Sequence, residues 1–215
     1  MNKKDKYFQE FYEKIRNDIS FISLKMGATI KFKDRTFKTD KELPVPVRVQ
    51  KLLDDIKKQD EMDGITLNNI IDGIIYIVGT DIDFGFLQDY ERMLETLDFD
   101  IKPYIVYCIN NFEENEYEDA VVYGKALVNT EENEKSCFVY ASALENMGLK
   151  YAGEGSEKRS QYYLEEANKY FEKSLDYDDK FALAYYKLGF YYKRSGQYVK
   201  AELAWNKHQL TDDDT

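Results

Sequence analysis

Between residues 5 and 25 the apolar side chains fall at i, i+3, i+4 spacing: Phe8, Phe11, Tyr12, Ile15, Ile19 and Ile22. That spacing draws one stripe along a helix and predicts an amphipathic helix over the whole segment, with Gly27 just past its end. The period then shortens. Thr29 to Thr39 alternates apolar and polar residues about Lys33-Asp34, which predicts a short β-hairpin. Pro44-Val45-Pro46 is the strongest break in the chain, because proline fixes its own φ and restricts the residue before it. Pro46 is suited to open the next helix, where a missing N–H is tolerated. That helix is expected over 46–59, with Val49, Leu52, Leu53 and Ile56 on one side and Asp60 to Gly64 as a polar stop.

At Thr66 the texture changes. Thr66 is a good N-cap, and Leu67, Ile70, Ile71, Ile74, Ile75, Ile77 and Val78 wrap nearly all round the helix that follows. Such a helix must be covered on most sides. After a turn at Gly79-Thr80-Asp81, a second helix is expected over 83–97 through Phe84, Leu87, Tyr90, Met93, Leu94 and Leu97.

From residue 101 onward the helical pattern becomes repetitive. The last segment, Ala182 to Thr215, spans one period of about 34 residues. It places Tyr185, Leu188, Gly189 and Tyr192 on a first helix, Gly196 and Tyr198 at a turn, and Ala201, Trp205 and His208 on a second. Small residues let two helices approach closely, and large aromatics fill the grooves beside them. This pattern resembles the tetratricopeptide repeat family, with His208 departing from its usual small residue. The unit before it shows Phe138, Tyr140, Ala141 and Leu144, with Gly148 at the turn position, then Ala167, Phe171, Ser174 and Leu175. Its extra residues, about Tyr151 to Leu164, lengthen the first helix, form a loop at Gly153–Ser156 and start the second helix early. A weaker unit begins at residue 101 with Tyr104, Tyr107 and Cys108, followed by Tyr117, Ala120, Ala126 and Leu127.

The expected fold is therefore mainly all-α: an α-α superhelix of tetratricopeptide-like helix pairs behind an N-terminal helical segment that includes a short hairpin. The expected domains are 1–62, a degenerate helix pair over 63–100, and three repeats over 101–133, 134–181 and 182–215.

Composition adds two points. Aromatic residues make up 15% of the chain, with 19 tyrosines and a single tryptophan, which suits helix seams and amphipathic grooves. Net charge is −11, unevenly spread: residues 1–60 carry 15 basic against 10 acidic side chains, and residues 61–215 carry 15 against 31. An acidic repeat surface argues against nucleic acid. Cys108 and Cys137 sit inside apolar helical patterns without a CxxC arrangement and read as buried free thiols. No apolar run approaches the ~20 residues that span a bilayer, and the start has no apolar signal core, so a cytoplasmic protein without a membrane partner is expected.

Nothing in the chain forms a catalytic constellation. Asp83-Phe84-Gly85 stands without the other kinase motifs, and Phe84 and Phe86 replace the oxygen ligands a calcium loop needs. The lone His208 cannot build a multi-histidine metal site. No catalysis and no cofactor are expected.

The family resemblance implies that the first helix of each repeat lines a concave groove that holds a protein or peptide partner. Carried onto this chain, the groove positions are Leu183, Tyr186, Phe190, Lys193 and Arg194 in the last unit. They are Lys135, Phe138, Ser142, Glu145 and Asn146 in the middle one, and Lys102, Ile105, Ile109, Phe112 and Glu113 in the first. Tyr186 and Phe190 stand where a carboxylate clamp would need Lys and Asn, so a chaperone C-terminus is not the expected ligand. An alternative is a regulator in which the repeats govern an effector module in the weakly basic residues 1–60. Repeat arrays usually end in a solvating helix. Ala204, Trp205 and His208 are thus expected to be exposed, with the chain continuing past Thr215 or a homodimer forming through this uncapped repeat.

Overall fold

The structure, a computed structural model, describes residues 5–58, 65–113 and 116–212. The expected polar stop at Asp60–Gly64 and the acidic residues from Asp213 lie outside them. The chain divides into two compact units, Met1–Asn111 and Phe112–Thr215.

The first unit opens with helix α1 (Asp5–Arg16), whose Phe11 and Ile15 are buried. The single helix expected over 5–25 ends there. Ile19–Leu24 is instead strand β1, paired antiparallel with β4 (Leu43–Arg48). Ile19 and Ile22 fit the helical spacing, but Ile19–Leu24 also carries β-branched and aromatic residues, and a valine-rich partner from far along the chain decides between the two. Asp18 anchors the junction. Its carboxylate accepts from the Arg48 Nε at 3.1 Å and from the Gln50 N–H at 2.9 Å, and its carbonyl from the Val49 N–H at 2.8 Å.

The two prolines lie inside β4, so Pro46 does not open a helix; α2 starts at Val49 and runs to Lys58. Pro44 faces Ser23 and Pro46 faces Phe21. Residues two apart on a strand turn their N–H groups to the same side. Both prolines therefore direct their missing donors away from β1, the position in which an edge strand tolerates them. The expected hairpin is present as β2 (Thr29–Phe32) and β3 (Arg35–Lys38), with Lys33 in the left-handed region at φ 52.

Helix α3 (Leu67–Thr80) begins in a capping box. The Thr66 Oγ1 accepts from the Asn69 N–H, and the Asn69 Oδ1 accepts from the Thr66 N–H. Its apolar wrap is buried from Ile70 to Ile77, as the pattern requires. It lies directly on β4. A Cβ on Gly73 would stand 2.2 Å from the Pro46 carbonyl oxygen, so only glycine allows this approach. Helix α4 (Leu87–Thr96) starts later than the expected residue 83. Phe84 stacks on Phe21 at 5.4 Å, and the Tyr90 hydroxyl donates to the Pro44 carbonyl at 2.7 Å. Helix α5 (Ile101–Asn111) clusters with this unit, not with the helices after it. The buried Asp72 of α3 holds it, accepting from the Tyr104 hydroxyl at 3.0 Å while pairing with the Lys51 ammonium at 2.5 Å.

Among the described residues the second unit consists of helices α6 (Tyr117–Thr130), α7 (Glu134–Gly153), α8 (Glu157–Tyr177), α9 (Ala182–Arg194) and α10 (Tyr198–Asp212). Each packs on the next along the chain. The insertion lengthens α7 and α8 as expected, and Gly155 turns the chain between them at φ +73. Gly148 is not at a turn. It lies inside α7 where α8 crosses, and a Cβ there would meet Leu164 at 2.8 Å. Gly189 plays the same part between α9 and α10: its Cβ would fall 2.2 Å from the Trp205 indole nitrogen. Cys108 and Cys137 are buried and form no disulfide. Among the described residues no helix is long and apolar enough to cross a membrane.

Tyrosine fills many of these seams, and burial pushes the phenols of Tyr90, Tyr104, Tyr163 and Tyr192 well above their ordinary value of 10.0. A group whose folded pKa is raised stabilises the fold below its unfolded value and loses that contribution as the pH rises past it. Stability is therefore expected to fall above pH 10.0. Ultraviolet titration should show one fraction of tyrosines ionising with helix intact and a second fraction ionising only as the helical dichroism collapses. Ionisation of every tyrosine before any loss of helix would refute it.

Candidate functional site

The expected groove residues separate into three groups. Leu183, Tyr186 and Phe190 of α9 come together on one open face, with Tyr186 43% and Phe190 37% exposed. Their spacing puts them on one side of α9, while Leu188 and Gly189 turn inward. The Tyr186 ring meets Phe190 edge-on at 4.9 Å. Two α10 residues that the groove expectation did not include extend the cluster. His208 lies 5.3 Å from Tyr186, and Trp205 lies 5.3 Å from Phe190. The Lys193 ammonium stands 6.0 Å from the Trp205 ring. The result is a four-ring ledge of α9 and α10 with a cation at one end.

Glu145 and Arg194 form the second group, and each is engaged by the other. Glu145 is only 4% exposed. One of its oxygens accepts from the Arg194 Nη2 at 2.8 Å and the other from the Lys187 Nζ at 2.7 Å. A carboxylate buried this far needs such partners, because its desolvation is otherwise uncompensated. These three residues tie α7 to α9 and leave Glu145 no open face for a guest.

The third group stays on α7. Phe138 packs into the seam, against Phe171 at 5.5 Å and Phe181 at 5.3 Å. Ser142 is half-buried, and its hydroxyl has no hydrogen-bond partner among the described residues. Lys135 is exposed near the start of the helix. On α7, Phe138 and Glu145 are thus engaged within the protein, whereas Lys135 and Asn146 are exposed. In the first unit, Ile105 is fully buried.

Two concavities accompany this surface. One of about 660 Å³ opens beside the long α7–α8 hairpin, between Gln161, Leu164 and Glu165 and the end of α9 at Tyr191 and Arg194. The other, about 290 Å³, lies between α8 and α10 over Leu188, with Leu175, Leu203, Lys200 and Lys207 around it. On its rim the Tyr192 hydroxyl donates to Glu172 at 2.9 Å. Among the described residues no group of three or more histidine, cysteine, aspartate or glutamate side chains is placed to hold a metal ion.

Trp205 and His208 stand on the second helix of the repeat, whereas the family resemblance draws groove positions from the first helix. The spacing of Gly189 and Trp205 already signalled that the indole would cross to α9, where Phe190 is next in line.

Comparison with known families agrees with this geometry. The family model for the tetratricopeptide repeat matches residues 170–203. The matched segment takes in the last two turns of α8, all of α9 with Gly189, and the start of α10, and it stops short of Trp205. No curated protein and no solved structure matches the chain. Tetratricopeptide repeats generally bind protein partners.

Proposed function

We propose that the chain is a non-catalytic scaffold or adaptor that holds a protein or peptide segment on the aromatic ledge of α9 and α10. One observation carries the reading: Tyr186 and Phe190 remain partly open to solvent although rings from α10 back them on the protein side. Aromatic side chains with rigid backing give large contact area at little entropic cost. Lys193 beside Trp205 adds a cation at the end of the ledge, which suits a segment with apolar side chains and an acidic neighbour.

The test uses a random-peptide library panned against the full chain. Recovered peptides should bind the Tyr186→Ala/Phe190→Ala variant at least about tenfold more weakly, as loss of two central aromatic anchors implies. Peptides retained equally by the variant, or no recovered peptide at all, would count against the ledge.

A second reading draws on the division of the chain. Residues Met1–Asn111 form a unit with its own core of Ile71, Ile74, Tyr90 and Met93. This independence favours an effector module of its own in the N-terminal unit, with the repeats as the element that governs it.

A further inference from the structure

The repeat seam does not use the outer face of α10. Ala201 and Ala204 are buried toward α9, and Trp205 and His208 are half-buried there, so these are not the exposed residues that the uncapped repeat led one to expect. The open apolar residues are on the opposite side. Val199 is 72%, Leu203 60% and Leu210 66% exposed, with the exposed Asn206 between them. At about 100° per residue, these four fall within an arc of about 60°. Their intervals of four, three and four are those of a coiled-coil seam.

The charges beside the seam discriminate between pairings. Lys200 and Lys207 flank it on one side, and Glu202 and Gln209 on the other. In an antiparallel two-fold pair the same flank of each helix meets, which sets lysines against lysines. In a parallel pair opposite flanks meet, and a residue faces one five positions further along its partner. Glu202 then faces Lys207 of the partner subunit, and symmetry makes the same contact twice. Asn206 falls in the seam, where two amides satisfy each other and penalise slipped registers. The Lys200 and Lys207 flank also borders the apolar concavity between α8 and α10, which extends the surface available beside the seam.

We infer that α10 is a self-association surface on which a second copy of this chain docks its own α10 in parallel, with Val199, Leu203 and Leu210 in the seam and Glu202 paired to Lys207 across it. The seam is three turns long, so the dimer is weak and reversible. It is separate from the aromatic ledge and does not depend on what the ledge binds.

Sedimentation equilibrium of the full chain tests it. The mass should rise with concentration from 25.4 kDa toward twice that value. Leu203→Asp should keep the chain monomeric. Lys207→Glu should weaken association at least about fivefold by replacing two attractions with two repulsions. Glu202→Lys/Lys207→Glu should restore it to within about twofold, since the exchanged pair is the same pair reversed. All three positions are exposed, and a thermal melt followed by circular dichroism confirms that each variant folds. A monomer at every concentration would overturn the inference. So would association that ignores Leu203→Asp, or association that Lys207→Glu strengthens, which would indicate an antiparallel pair.

Discussion

Gly73→Ala is expected to lower the stability of the N-terminal unit by about 3 kcal/mol or more, the upper range for a group forced into filled space. The added methyl would meet backbone, not a side chain: the Pro46 carbonyl oxygen at 2.2 Å, its carbon at 2.4 Å and the Val47 nitrogen at 2.9 Å. Neither partner yields cheaply. Strand β4 is held by β1 on one side, and α3 is buried along most of its length. The fold must separate a helix from the strand that it covers. Gly85→Ala supplies the control, because nothing stands within 4 Å of its missing Cβ and its backbone is unstrained. Chemical denaturation should show a lowered midpoint for the first variant and none for the second. Equal stability of Gly73→Ala and the native chain would mean that α3 and β4 are further apart than described here.

Gly189→Val should be the most damaging exchange in the second unit, at about 2–4 kcal/mol. Its Cβ would overlap the Trp205 indole, with three ring atoms between 2.2 and 2.6 Å away. The ring must leave its place, and with it goes the backing of Phe190. Trp205 is the only tryptophan in the chain, so its fluorescence reports this one seam. The emission should shift to the red in the folded variant, and denaturation of the α9–α10 pair should precede that of α7 and α8. An unshifted spectrum with native stability would contradict the crossing.

The repeat half of the chain was legible because its contacts are local. Helix period, the close approach at Gly189 and the loop at Gly155 are written within a few tens of residues of one another. The first segment was not, and Ile19 to Pro46 shows why. Ile19 and Ile22 satisfy a helical stripe, while Pro44 and Pro46 suggest a break. Both signals are overridden by a pairing between residues about 20 to 30 positions apart, which no local window contains. Gly148 misled for a related reason. A glycine marks either a turn or a crossing, and only the position of Leu164 tells which. Among the candidate groove residues, Tyr186 and Phe190 came from the family resemblance, and both lie on an open face of α9. Glu145 was placed on the right helix, but its role was hidden, since two cations from a later helix neutralise it.

That buried carboxylate bears on the proposed role of the ledge. Lys187 and Arg194 both sit on α9, one near its middle and one at its last turn, and both reach back to a single point on α7. Two anchors on one helix remove its freedom to swivel about the other. The angle between the repeats is thus set before any partner arrives. On the proposed function, a docking segment would adapt to a template already cast, and the entropy lost on association would fall on the visitor.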